Sequence, residues 1–148
     1  MIVSVTSSRD PEPLDPAAFE RLALFVLAHE EVADECELSV AIVTVEEMTN
    51  LNARYRGVEG PTDVLSFGCD DPCTAPGDEP ITLGDVIVAP EIAEGQAAEL
   101  GTTVESELNL LLVHGTLHLL GYDHEADADA EVMQARERAI LDAWAELG

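Results

Sequence analysis

Three of the four histidines of this chain fall in the run HGTLHLLGYDH, which spans His114 to His124. On a helix, residues four apart project from the same face, so His114 and His118 are predicted to aim two imidazoles at one point. Gly121 has no Cβ and can take a left-handed conformation that ends the helix, which would bring His124 to that point from the side. The spacing therefore predicts a helix that ends in a tight turn with three converging imidazoles.

Three neutral imidazoles leave one open position on a tetrahedral ion, an arrangement typical of catalytic rather than structural zinc. One zinc ion per chain, bound by His114, His118 and His124, is therefore predicted. Such an ion lowers the pKa of a water molecule from 15.7 to about 7 and polarises carbonyl or phosphoryl oxygens, which favours hydrolysis. The alternative is a chance cluster of core or surface histidines. The remaining one, His29, is interpreted as structural, at the carboxyl end of a predicted helix.

Apolar periodicity and capping residues predict a single α+β domain over residues 1–148, with about four strands in a mixed sheet and about five helices. The metal site is expected at the end of a core helix. Strands are predicted at Ile2–Val5, Glu37–Thr44, Asp63–Phe67 and Leu83–Ala89. Helices are predicted to begin at Asp15-Pro16, at Thr44, at Pro90, at Thr102 with a capping box to Glu105, and at Asp127 or Asp129. The last helix is expected to bury a stripe of Val132, Met133, Ile140, Trp144 and Leu147.

Length and apolar runs limit the kind of protein. A chain of 148 residues is too short to expect two domains. Its longest apolar runs, Leu22–Ala28 and Leu110–Val113, are far shorter than the ~20 residues that span a bilayer, and no signal peptide is evident. We therefore expect a cytoplasmic protein without a membrane partner. Cys69 and Cys73 are interpreted as ordinary thiols in an acidic loop at 68–80.

The charge balance bears on partners. The net charge is −25, from 31 acidic residues against six arginines and no lysine. Proteins that bind nucleic acid usually carry a basic surface, so this composition argues against tight, charge-driven binding to DNA or RNA. Any function on nucleic acid must depend on local features of the surface.

The histidine spacing also occurs in zinc proteases of the metzincin type. Those proteases need a glutamate directly after the first histidine, as general base. Here that residue is Gly115, which has no side chain. A protease remains possible only if another acid takes over this role.

The run from His114 to His124 resembles the signature of the YbeY family, bacterial metal-dependent endoribonucleases specific for single strands. Two further blocks match in the same order: 51–67, with LN, YR and PTDVLSF, and 83–88, LGDVIV. The resemblance implies that the three histidines bind the metal and that Arg56 is the arginine implicated in activity. A guanidinium can hold phosphate oxygens through two hydrogen bonds and stabilise charge in the transition state. Without the resemblance, Arg56 would be interpreted as a surface arginine paired with an acid.

The resemblance also implies a role in maturation of ribosomal RNA, notably at the 3′ end of the small-subunit RNA, and in ribosome quality control. The implied partners are single-stranded or ribosomal RNA and small-subunit ribosomal proteins, and not DNA. Asp85 and Asp123 are candidates for fixing a histidine tautomer, although Asp85 fits equally well as a strand-edge acid. Two alternatives stay open: a ribosome-assembly factor with a structural zinc, and a zinc hydrolase of other specificity.

Overall fold

Four short apolar segments form one mixed sheet in the computed structural model, which describes residues 1–9, 14–32, 35–70, 80–123 and 125–147. In chain order they are β1 (Ile2–Ser7), β2 (Cys36–Ile42), β3 (Val64–Gly68) and β4 (Ile81–Val88). The spatial order is β1-β2-β4-β3. The β1–β2 and β2–β4 pairs are parallel, and β3 lies antiparallel to β4 at the edge. The predicted four-stranded mixed sheet is confirmed.

Five helices connect and cover these strands: α1 (Pro16–His29), α2 (Val45–Arg56), α3 (Pro90–Leu100), α4 (Val104–Leu119) and α5 (Asp127–Leu147). Helix α1 begins as predicted, because the Asp15 side chain accepts a hydrogen bond from the Ala17 amide and Pro16 takes the first turn. Helix α2 begins with the predicted capping box between Thr44 and Glu47. No helix in the described residues has both the length and the apolar character needed to cross a membrane.

Helix α4, which carries the histidines, lies at the centre of the molecule. It packs against β3 and β4 on one side and against α1, α3 and α5 on the others. Because neighbours surround it, even Leu112, Val113 and Leu117 are fully buried although they point in different directions. The histidines therefore project from a helix whose position is held by the whole core.

Successive side chains of β3 and β4 point to opposite faces of the sheet. Val64, Ser66 and Val86 face α4, whereas Leu65, Phe67 and Ile87 pack in a second, smaller cluster with Met48 of α2. A register shift between β2 and β4 falls beside Gly84. A Cβ on Gly84 would lie 2.0 Å from the Phe67 carbonyl oxygen, and its φ is +139°, so only glycine fits there.

The start of α4 differs from the prediction. The N-cap is Thr103, whose hydroxyl accepts from the Ser106 amide, and no capping box joins Thr102 to Glu105. Thr102 is unavailable because it completes the end of α3: Gly101 is left-handed, and the Thr102 amide donates to the Ala97 carbonyl. The predicted N-cap was wrong by one position, and the predicted capping box is absent.

The buried stripe of α5 also differs from the prediction. Met133 and Ile140 are buried and Trp144 packs against the core, as expected. Val132 and Leu147 are instead exposed. Val132 lies about 100° around the helix from Met133, outside the stripe. The position between Met133 and Ile140 is taken by Glu137, a buried acid that the apolar pattern passed over.

Candidate active site

His114 and His118 project from the last two turns of α4 toward one pocket. Their ring planes are 5° apart and their ring centroids are 6.5 Å apart. The predicted placement of two imidazoles on one helical face is what the structure shows. The pocket is also lined by Arg56, Ser66, Asp123 and Glu125.

A carboxylate of α5 holds His114 in one orientation. The Nδ1 atom of His114 lies 2.6 Å from Oε1 of Glu137, and both side chains are largely buried. In the tautomer that donates from Nδ1 to the carboxylate, Nε2 carries the lone pair that a metal ligand requires. Such carboxylate–histidine pairs fix ring orientation and raise the basicity of the ligand.

The turn after α4 holds His118 in a comparable way. The Nδ1 atom of His118 donates to the backbone carbonyl of Tyr122 at 3.1 Å. This carbonyl reaches back because the chain reverses at Gly121, whose φ is +102°. Gly121 therefore plays the predicted part in the turn, with α4 ending at Leu119.

An ion pair between the exposed Arg136 and the largely buried side chain of Glu30 connects this turn to α1 and α5. The hydroxyl of Tyr122 donates to Glu30 at 3.2 Å, and Arg136 contacts both oxygens of Glu30 at 2.8 and 3.1 Å. The hydrogen bonds with Glu30 raise the pKa of the Arg136 guanidinium above its usual range. The residue that orients His118 is thus itself anchored at its side chain.

His124, the third predicted ligand, lies outside the described residues. Its neighbours Asp123 and Glu125 both line the pocket of His114 and His118. Across the described ranges, no cluster of three or more histidine, cysteine or acidic side chains is arranged to hold a metal. The two described histidines nevertheless fit a metal, since each has Nδ1 engaged by an oxygen, and a neutral ring that donates from Nδ1 presents the lone pair of Nε2 as a ligand. Cys73 also falls outside the described residues, as does most of its loop.

Arg56 reaches the same pocket from another element, α2. It is the last residue of α2, which stops there because Gly57 adopts a left-handed conformation with φ +65°. Its Nη1 atom lies 3.4 Å from Oδ1 of Asn52, a long contact, while buried Asn52 donates to the Gly60 carbonyl at 2.8 Å. Within the described parts of the chain, Arg56 forms no ion pair, so the interpretation as a paired surface arginine finds no support there.

Gly115 lies where α4 packs most closely on the sheet. A Cβ at this position would be 2.7 Å from Cγ1 of Val86 and 3.1 Å from Oγ of Ser66, which itself donates to the Gly115 carbonyl. A glutamate at residue 115 would point into the sheet and clash. Residue 115 therefore provides neither the glutamate of the metzincin type nor the space for it.

One expectation about the supporting acids is corrected. Asp85 lies on β4 next to Val86 and so points away from α4, to the other face of the sheet. It cannot contact the histidines. Asp123 lines the pocket, and its predicted role toward a histidine stays a prediction; Nδ1 of His114 contacts Glu137, and Nδ1 of His118 contacts the Tyr122 carbonyl. The sequence analysis did not identify Glu137 as the partner of His114. The position of Glu137 among the apolar residues of α5 is a signal in the sequence that could have indicated a buried acid.

The fold and the pocket define a hydrolase-like site, with two oriented imidazoles and a guanidinium lining one pocket. Comparison with known proteins agrees. A family model described as Endoribonuclease YbeY matches residues 7–145. Endoribonuclease YbeY of Parafrankia sp. is 40% identical over 97% of this chain and 94% of its own length. The Roseiflexus castenholzii protein of that name is 45% identical over 88% of this chain and 84% of its own length.

A solved structure shows the same fold. The solution structure of a Thermotoga maritima protein matches with a TM-score of 0.64 and 26% identity, over 97% of this chain and 92% of that one. The chain belongs to the YbeY family of endoribonucleases. The resemblance stated from the sequence motifs is confirmed.

Proposed function

We propose that this protein is a zinc-dependent endoribonuclease that cleaves single-stranded RNA and acts in ribosomal RNA maturation, including the 3′ end of the small-subunit RNA and ribosome quality control. Family membership supports RNA cleavage. The observation that carries the proposal is that Arg56 lines one pocket with His114 and His118. We further propose that residues 1–148 form one metallohydrolase domain that binds one zinc ion through His114, His118 and His124.

When bound by three neutral imidazoles, zinc supplies a Lewis acid of net charge about +2 that polarises phosphoryl oxygens and acidifies water. Glu137 keeps His114 in the ligand tautomer, and the Tyr122 carbonyl does the same for His118. Arg56 is proposed to hold the scissile phosphate through its planar fork and to stabilise the charge that develops on its oxygens. These residues orient the phosphodiester between the imidazole and guanidinium walls of the pocket.

The nucleophile is either water or the ribose 2′-hydroxyl, and the products distinguish the two. Attack by the 2′-hydroxyl leaves a cyclic phosphate and cannot cut DNA. Cleavage of a deoxyribose substrate would therefore exclude it. With a net charge of −25, the protein is proposed to receive part of its RNA affinity from small-subunit ribosomal proteins in the cytoplasm.

Elemental analysis combined with cleavage of single-stranded RNA tests the proposal. We expect one zinc per chain, cleavage that a chelator abolishes and zinc restores, and loss of both metal and cleavage in His114→Ala. His29→Ala is the matched control, because His29 ends α1 with its ring against Phe25. A folded protein with stoichiometric zinc that leaves RNA intact would overturn the proposal in favour of a ribosome-assembly factor with a structural zinc.

A further inference from the structure

One aromatic ring stands out at the surface. The chain has six aromatic residues, all within the described ranges, and Tyr55 alone among them is exposed, at 58%. The other five are buried or half-buried in the core. The exposure of Tyr55 leaves part of the ring surface accessible to a ligand, and burial of that surface on binding would be favourable.

The ring of Tyr55 is held in place although it is exposed. It meets the ring of Phe67 at a centroid distance of 5.3 Å and an interplanar angle of 62°. The guanidinium carbon of Arg54 lies 5.6 Å from the centroid of the Tyr55 ring. Both geometries are favourable for aromatic and cation–π contacts, so the ring is fixed before any ligand arrives.

Two elements, α2 and β3, connect Tyr55 to the candidate active site. Along α2 it directly precedes Arg56, and on β3 its partner Phe67 directly follows Ser66; both Arg56 and Ser66 line the pocket. Because Phe67 faces the α2 side of the sheet, the ring lies across the edge strand from the histidines. A strand that extends from the pocket across β3 toward α2 would pass this ring.

The local charge suits a phosphate backbone. Two of the six arginines, Arg54 and Arg56, flank Tyr55. Arg9 pairs with Glu91 and Arg136 with Glu30, whereas neither flanking arginine forms an ion pair with any residue that the structure describes. Arg21 and Arg138 also have no ion pair there, but Arg54 and Arg56 are the two arginines that flank the exposed ring in sequence.

We propose that Tyr55 is a stacking platform for one unpaired base of the RNA, with Arg54 contacting an adjacent phosphate. The inference rests on the proposed function and specifies its substrate-binding surface. Exposed aromatic rings beside basic groups bind single strands because every base has a π-face. Bases inside a duplex are already stacked on their neighbours, so this platform favours unpaired substrate.

Binding of a fluorescently labelled single-stranded RNA to the zinc-loaded protein, measured by anisotropy at low salt, tests the platform. We expect Tyr55→Ala and Tyr55→Leu to weaken binding about 5- to 150-fold, the range of one base–aromatic stack. Tyr55→Phe keeps the ring and should restore the affinity. Leu100→Ala, at a side chain that is 69% exposed on α3, is the control. The proposal would be overturned if Tyr55→Ala bound RNA as tightly as the wild type. It would also be overturned if Tyr55→Phe bound as weakly as Tyr55→Leu, with both weaker than the wild type.

Oligonucleotides with a single abasic site locate the stacked base. At one position the abasic substitution should weaken wild-type binding and leave Tyr55→Ala binding unchanged, because the contact is already lost. No such position along the oligonucleotide would contradict stacking. Arg54→Gln should weaken binding more than Arg21→Gln, its exposed counterpart on α1.

Cleavage kinetics separate this proposal from the proposed function. Stacking of a base away from the reacting atoms should raise KM in Tyr55→Ala more than it lowers kcat. If chelation abolishes cleavage but Tyr55→Ala keeps the wild-type KM, the platform alone is wrong. If Tyr55→Ala loses affinity while chelation leaves cleavage intact, zinc dependence alone is wrong. Absence of any RNA binding by the wild type would overturn both.

Discussion

The pocket has a histidine wall and an arginine wall, and their side chains are held in place to different degrees. On the histidine wall, His114 and His118 project from α4, and each Nδ1 has a partner, Glu137 or the Tyr122 carbonyl. On the arginine wall, Arg56 ends α2, is exposed, and has one long side-chain contact of 3.4 Å. One wall is determined by core packing of α4 and by two Nδ1 hydrogen bonds, the other by a helix terminus and a turn.

This difference corresponds to what each wall is proposed to bind. A metal ion requires ligands at fixed distances, and small displacements lower its affinity, so a rigid wall is suited to it. A phosphodiester in a flexible strand arrives in many conformations, and a long guanidinium side chain can follow it. The comparison predicts separable effects. Substitutions at the histidine wall should lower metal content, and substitutions at the arginine wall should lower the binding and cleavage of RNA.

Replacement of Arg56 should have the largest effect. We expect Arg56→Ala to lower kcat for single-stranded RNA by about 10²- to 10³-fold, the usual loss for one charge-stabilising donor. Zinc content should stay at the wild-type value, because the histidine wall is unchanged. Arg56→Lys should recover only part of the rate, since an ammonium lacks the bidentate fork.

Arg21→Ala on α1 is the control for charge alone, and RNA cleavage with elemental analysis provides both readouts. If Arg56→Ala cut RNA at the wild-type rate, Arg56 would be withdrawn from the site. If it lost zinc, the two walls would not be separable.

Replacement of Glu137 should have the next largest effect, and on the other wall. Glu137→Gln removes the charge that supports His114, and loss of such a partner typically lowers metal affinity by about 10- to 100-fold. Glu131→Gln, at an exposed glutamate of the same helix, is the matched control. Competition with a zinc-chelating dye measures the affinity. Unchanged zinc affinity in folded Glu137→Gln would show that the carboxylate serves packing and not the metal.

Local signals in the sequence were sufficient to predict the elements of this fold. Asp15-Pro16 and Thr44 to Glu47 predicted two helix starts, and both are observed. The signal failed where two elements compete for one residue. Thr102 resembles a cap, but its amide closes α3, so Thr103 caps α4. Sequence spacing does not show which helix takes a shared residue.

Only the part of the site that lies on one helix, α4, could be predicted from spacing in the sequence. The spacing of His114 and His118 predicted their common face, and the structure agrees. Partners from distant elements were not predictable in this way: Asp85 was a candidate by its place in a motif, yet strand alternation turns it to the other face of the sheet. Glu137 is 23 residues from His114 in sequence. It was not identified because the buried stripe of α5 was predicted from apolar residues alone.

Salt dependence should have a smaller effect and tests how the arginine wall binds RNA. Each phosphate contact with a single strand contributes a slope of about −0.7 to log K against log salt. With Arg54 and Arg56 as the two contacts, affinity should fall about 7-fold or less between 50 and 200 mM salt. Repulsion by the remaining charge, screened at higher salt, opposes this fall. A decrease of 10³-fold in anisotropy titrations would indicate an extended basic surface instead.

Loss of the capping box of α2 should have the smallest effect, and it should not reach the histidine wall. Thr44→Ala removes the acceptor for the Glu47 amide at 3.1 Å and should lower the free energy of unfolding by about 1 kcal/mol. Urea denaturation measures this change. Zinc affinity should be unaffected, because α2 contributes no ligand.

The same box carries a pH dependence. The Ser8 hydroxyl, 2.6 Å from Glu47, is the largest cause of a Glu47 pKa below its ordinary value of 4.5. Since the folded pKa lies below the unfolded one, ionised Glu47 stabilises the fold fully above the unfolded pKa, and this contribution disappears as pH falls through the folded pKa. The stability difference between the wild type and Glu47→Gln should therefore be constant near neutrality and shrink below about pH 4.5. A difference that persisted at lower pH would assign the effect of Glu47 to its shape and not to its charge.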